Sequence, residues 1–163
     1  MMDRIAKRLL QQGPFEYAEA DLPTVTILEA RIADVGRDQN VITYSRLVSG
    51  VEFNIPGLNG NKGFYIEPRD WIGLHRRIIG SMLADISARS YLHAGFIAGA
   101  LVIRSEEFEP SDIFFDWMYE LKALPSLDRS AILEFWTDQV REAHAWYRAH
   151  AVSRFPDVEW TNG

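Results

Sequence analysis

The stretch PRDWIGLHRRIIGSMLADISARSY, residues 68–91, decides the fold. Trp71, Ile72, Leu74, Ile78, Ile79, Met82, Leu83 and Ile86 recur at helical spacing and form one broad apolar stripe, so the segment is predicted to be a long amphipathic helix. Gly95 stands just past its expected end, where a left-handed cap is needed. At roughly 100° per residue the opposite face collects Arg76, Arg77, Gly80, Ala84, Ser87, Ala88 and Tyr91, with Arg69 near the start and Arg89 near the end. Small residues there admit a second helix, and the arginines offer contacts to phosphates.

Working outward, FIAGALVI (residues 96–103) is an uncharged apolar run after Gly95 and reads as a buried strand. Ser111 is placed to cap a helix running through Ile113, Phe114, Trp117 and Leu121, which Pro125 ends. A last helix starts near Ser126, with Leu127, Leu133, Trp136, Val140, Ala143 and Tyr147 on its apolar side. Towards the N-terminus, Asp21 and Pro23 open a helix carrying Val25, Leu28, Ile32 and Val35, although its TVTI run favours strand. Residues 40–43 are extended, and Thr43 caps a short helix through Leu47 and Val48 before Gly50. The loop NIPGLNGNKG (54–63) is rich in left-handed turn formers, and residues 3–12 suit a short N-terminal helix.

The chain has 163 residues, a formal charge of -6 and no cysteine. Disulfides, thiolate metal sites and cysteine nucleophiles are thereby excluded. That length buries roughly 70% of the unfolded surface, enough for one hydrophobic core, so residues 1–163 are expected to be a single domain. No run approaches the roughly 18 apolar residues of a membrane span, and the charged start lacks a signal peptide's apolar core. A cytoplasmic setting without membrane contact is the expectation. The acidity is uneven: residues 1–104 hold 12 Lys+Arg against 11 Asp+Glu, and residues 105–163 hold 5 against 12. A nucleic acid would repel the second part, so any such contact belongs to the first.

Catalytic motifs are wanting. The loop before Lys62 lacks the P-loop pattern, no GxSxG occurs, and His144 and His150 stand six apart, roughly 120° round a helix. Neither a metal nor any other cofactor is expected. The turn SEEFEPSD gathers Glu106, Glu107, Glu109 and Asp112 and reads as a solvated, wing-like turn. Of five tryptophans, Trp71, Trp117 and Trp136 fall on helix stripes, while Trp146 and Trp160 are candidates for an interface.

The order of helix, ITYSRL phrase (42–47), second helix, long helix through Arg76 and Arg77, and apolar strand Ala100-Leu101-Val102-Ile103 resembles a winged helix-turn-helix. Within that class it is similar to alkyltransferase-like DNA-binding proteins and to small bacterial proteins with the same isoleucine-threonine-tyrosine phrase. In alkyltransferases a cysteine precedes a His-Arg pair; here Leu74 precedes His75-Arg76, so alkyl transfer is excluded. The resemblance implies a winged-helix-like body over residues 20–105. An acidic helical extension over 106–163, with two C-terminal helices, follows it.

The expected class is thus mainly α with a small β-sheet. The expected function is a non-enzymatic macromolecular binding module, with a basic protein partner leading and Glu106, Glu107, Glu109, Trp146 and Trp160 as its contacts. The alternatives are a DNA or RNA binder using Tyr44, Arg46, Arg69, Arg76 and Arg77, with the last helices forming a homodimer, and a small hydrolase.

Overall fold

A computed structural model describes residues 15–67 and 72–157. The expected helix over 3–12, and Arg69, Trp71 and Trp160, lie outside the described residues.

The described residues are mainly helical with two small sheets. Helix α1 (Glu16–Ala20) leads through Asp21 into α2 (Leu22–Arg37), whose β-branched opening is overridden by burial of Val25, Leu28 and Ile32 at helical spacing. Asp21 caps α2 and ties its start to a distant stretch of chain: one carboxylate oxygen accepts from Thr24 N at 3.4 Å, the other from Asn54 N at 2.8 Å. Strand β1 (Ile42–Thr43) then runs into α3 (Tyr44–Val48), which Thr43 caps by accepting from Arg46 N. Arg31 of α2 closes the other end of α3, donating to the carbonyls of Arg46, Leu47 and Ser49.

Strands β2 (Glu52–Phe53) and β3 (Phe64–Tyr65) pair antiparallel around the glycine-asparagine loop, and the Phe53 and Phe64 rings stack at 5.8 Å. The long helix α4 (Gly73–Ala94) ends at Gly95 in the left-handed conformation, as the spacing predicts. Strand β4 (Val102–Ile103) lies parallel to β1, Ile42 opposite Val102. Helix α5 (Asp112–Glu120) starts at the Ser111 cap, and α6 (Arg129–Ala149) crosses the body.

Several expectations need correction. The run 96–103 is buried, but residues 98–101 form a tight 3-10 turn and only Val102 and Ile103 are strand. A Cβ at Gly99 would stand 2.8 Å from Ser87 Oγ, so its small side lets the turn sink against α4. The Ser87 hydroxyl accepts from Gly99 N, and that of Ser90 accepts from Ala98 N and donates to Phe96 O. Helix α4 is also not two-faced beyond its first turns. Arg76, Arg77 and Gly80 are exposed, yet Ala84, Ser87 and Ala88 are buried along with the apolar stripe, and Ile72 is exposed.

Arg89 is fully buried. Its guanidinium donates to Glu29 of α2 at 2.6 and 3.1 Å and to Asp85 at 2.9 and 3.1 Å. It is therefore withdrawn from the arginine face that the sequence suggests. Ile113, Leu127 and Leu133, expected on buried stripes, are exposed too.

Among the described residues, two clusters divide the core. The larger joins α2, α3, α4 and the end of α6, where Tyr147 lies against Gly36. The smaller holds Phe115, Met118, Leu121 and Leu124 against Ala88 and Ile97. Helix α6 bridges them, Trp136 Nε1 donating to Ala100 O at 2.9 Å and Gln139 accepting from Ile97 N at 2.8 Å. This placement fixes the start of α6 beside α5.

Candidate partner-binding face

The turn between β4 and α5 is closed by its own backbone: Phe108 N donates to Arg104 O at 3.0 Å and Arg104 N to Glu109 O at 2.9 Å. The Arg104 guanidinium lies among Glu107, Glu109 and Asp112, at 3.6 to 3.8 Å from each carboxylate. Glu109 is turned inward and accepts two hydrogen bonds from Arg129, both 2.7 Å. The Arg129 hydrogen bonds hold its carboxyl below the usual carboxylate range. The turn leads into α5 and is joined to α6 by that pair.

Phe108 caps the turn with φ at 55° and 68% of its surface exposed. A left-handed phenylalanine costs on the order of 1 kcal/mol. A ring this exposed recovers little of that by burial. Beside it, α5 shows a face of mixed character. Tyr119, Asp112, Asp116, Glu120 and Ile113 fall within an arc of roughly 120° at 100° per residue, and all are exposed. Phe115 and Met118 point the other way into the core. Ile113 is 67% exposed and Tyr119 47%, so the carboxylates alternate with apolar surface that the fold leaves uncovered.

A cleft of about 310 Å³ opens between this face and the start of α6, lined by Glu109, Asp112, Phe115, Asp116, Leu127, Arg129 and Ile132. Its apolar walls are Phe115, Leu127 and Ile132; its rim carries Asp112 and Asp116. Since Glu109 engages Arg129, the charge left to the rim is negative. Such a slot suits the aliphatic stem and cationic head of a lysine or arginine.

The other residues singled out from the sequence fall elsewhere. Glu106 and Glu107 are exposed on the turn, next to Phe108. Tyr44 is half-buried, its phenol donating to Ser111 Oγ at 3.4 Å, and burial raises its pKa. It is thus directed at the α5 cap. Arg46, Arg76 and Arg77 are exposed on two different helices. Trp146 sits within an aromatic group, 4.8 Å from the Phe155 ring and stacked on His150 at 4.2 Å.

Of the histidines, His144 Nε2 donates to Asn40 O at 2.9 Å, His150 Nδ1 donates to Trp146 O at 2.8 Å, and His75 Nδ1 accepts from Ile72 N. Among the described residues no three His, Asp or Glu side chains are grouped to hold a metal ion, and no helix is long and apolar enough to cross a membrane. A larger groove of about 540 Å³ runs along α6, but its arginines and histidine are engaged: Arg141 with Asp138, Arg148 with Gln39, His144 with Asn40.

Sequence reasoning missed Phe108, Ile113, Asp116, Tyr119, Glu120 and Leu127. The available signal was a phenylalanine set among glutamates, followed by carboxylates at four-residue spacing. Compared with protein-family models, curated proteins and solved structures, the chain gives no match.

Proposed function

We propose that the chain is a non-enzymatic binding module whose α5 face and adjoining turn engage a basic segment of a protein partner. The observation that carries this reading is Phe108, held outward at φ 55° by a closed turn and flanked by the exposed carboxylates of Glu106, Glu107 and Asp112. Backbone strain kept with little gain in burial is a mark of surfaces that act on something else. Uncovered Phe108, Ile113 and Tyr119 supply apolar contact, and Asp112, Asp116 and Glu120 supply charge complementarity and steering. The occupant is a segment in which lysines or arginines alternate with apolar residues.

The test is a titration of labelled lysine-leucine peptides into the chain by fluorescence anisotropy at low and moderate salt. Binding that weakens with salt and is lost in an Asp112→Lys, Asp116→Lys variant of unchanged circular dichroism supports the reading. Binding unaffected by that variant, or none at all, overturns it. Duplex DNA in the same titration covers the nucleic-acid alternative: a shift that disappears in Arg76→Ala, Arg77→Ala would move the docking surface to α4.

A further inference from the structure

Beyond α6 the chain turns back, and its path is held in an unusual way. Among the described residues, none of the backbone groups of 151–157 bonds to another backbone group. Ala151, Ser153, Pro156 and Asp157 are exposed. The anchor is Phe155. Its N–H donates to Glu29 Oε2 at 2.6 Å, and its carbonyl accepts from Arg89 Nη1 at 2.7 Å. Both side chains of that pair are buried, 1% and 2% exposed. Two buried opposite charges thus address the donor and the acceptor of one residue. The Phe155 ring enters a cup made by Trp146 at 4.8 Å, Phe96 at 5.9 Å, and Tyr147 and His93 at 6.3 Å. Arg37 adds hydrogen bonds to the carbonyls of His150 and Val152, from the partly exposed edge.

We propose that the Glu29–Arg89 pair and its aromatic cup are a peptide-binding site, which holds residues 151–157 as a resident ligand and exchanges them for an extended segment presenting an aromatic side chain. Backbone N–H and C=O groups are the same in every residue, so the pair reads the main chain and the cup reads the ring. Vacated, Glu29 Oε2 and Arg89 Nη1 would each lose a partner in a low-dielectric setting, which favours capture of another amide. The strap brings no backbone ladder of its own, so besides the shared Phe155 contacts it competes through its tether and the Arg37 hydrogen bonds to His150 and Val152.

The test uses the full chain and an acetylated, amidated peptide of residues 150–157 carrying 4-fluorophenylalanine at the Phe155 position, read by its fluorine resonance. A resident competitor lowers the apparent affinity by the fraction of open sites, so the peptide is expected to bind a Phe155→Ala chain about tenfold or more tighter than the wild type. A peptide with alanine at that position is expected not to bind. Equal affinity for both chains, or none for Phe155→Ala, overturns the proposal. Should that variant not fold, hydrogen exchange on the wild type decides: the Phe155 amide must exchange about 100-fold faster than buried α4 amides such as Met82, through local opening. Protection equal to that of α4 would show that the strap does not leave.

Discussion

Helices α2 and α6 cross at Gly36, where a Cβ would stand 2.4 Å from Tyr147 Cδ2 and 3.2 Å from its Cβ. Ordinary carbon contacts lie at about 3.5 Å or beyond, so Gly36→Ala must drive the ring or the helix back by about 1 Å. The ring cannot turn aside freely: Tyr147 is 1% exposed and packs edge-on against Phe96 at 5.3 Å and Trp146 at 5.4 Å. Overpacking of this kind costs typically about 1–3 kcal/mol. The 2.4 Å approach places the cost in the upper part of that range, about 2–3 kcal/mol, and the gain of alanine over glycine in a helix offsets about 1 kcal/mol, leaving a net loss of about 1–2 kcal/mol. For a chain of this size that lowers Tm by roughly 2–8 °C. Gly80→Ala is the control, because the same propensity gain meets open space, with nothing within 4 Å of the added Cβ. It should raise stability by about 0.5–1 kcal/mol. Thermal unfolding followed by circular dichroism reads both. A Gly36→Ala protein melting at or above the wild type would refute the close crossing.

Breaking the buried pair by Arg89→Met leaves Glu29 buried and uncompensated, and urea unfolding should show a loss of about 3–5 kcal/mol; less than about 1 kcal/mol would mean that water reaches the pair. Phe108→Gly removes the left-handed strain, so stability measured by urea should stay level or rise by about 1 kcal/mol while peptide binding at α5 falls. Because Arg129 lowers the Glu109 carboxyl, this group's stabilisation is present above its ordinary unfolded value and fades as pH drops through the lowered folded one. Glu109→Gln should therefore flatten the acid limb of a Tm-against-pH curve between about pH 5 and pH 3; an unchanged limb would place the acid sensitivity elsewhere.

Local signals were the legible ones. Thr43, Ser111 and Gly95 reveal helix ends because each acts on backbone within three or four residues of itself. Burial of residues 96–103 could be read from the absence of charge, but their tight turn could not, since it depends on Ser87 and Ser90 supplying hydrogen bonds from α4. Arg89 resembles a surface arginine until Glu29, 60 residues earlier, and the Phe155 carbonyl, 66 later, are brought beside it. Non-local pairing leaves no trace in a periodicity. In α5 the carboxylates Asp112, Asp116 and Glu120 mark only a narrow polar arc, so spacing alone does not tell that the flanking Ile113 and Tyr119 are left uncovered while Phe115 and Met118 face in. Glu106 and Glu107 were identifiable as exposed acids. Glu109 was not separable from them, because its partner Arg129 lies 20 residues later, at the start of α6.

The most direct measurement is amide chemical-shift mapping of the labelled chain with a lysine-leucine peptide at low salt. Perturbations confined to residues 106–120 and 127–132, saturating at one site and shrinking with added salt, are the expected result. Shifts centred on Arg76 and Arg77 of α4, or none around Phe108, would contradict a docking surface on α5.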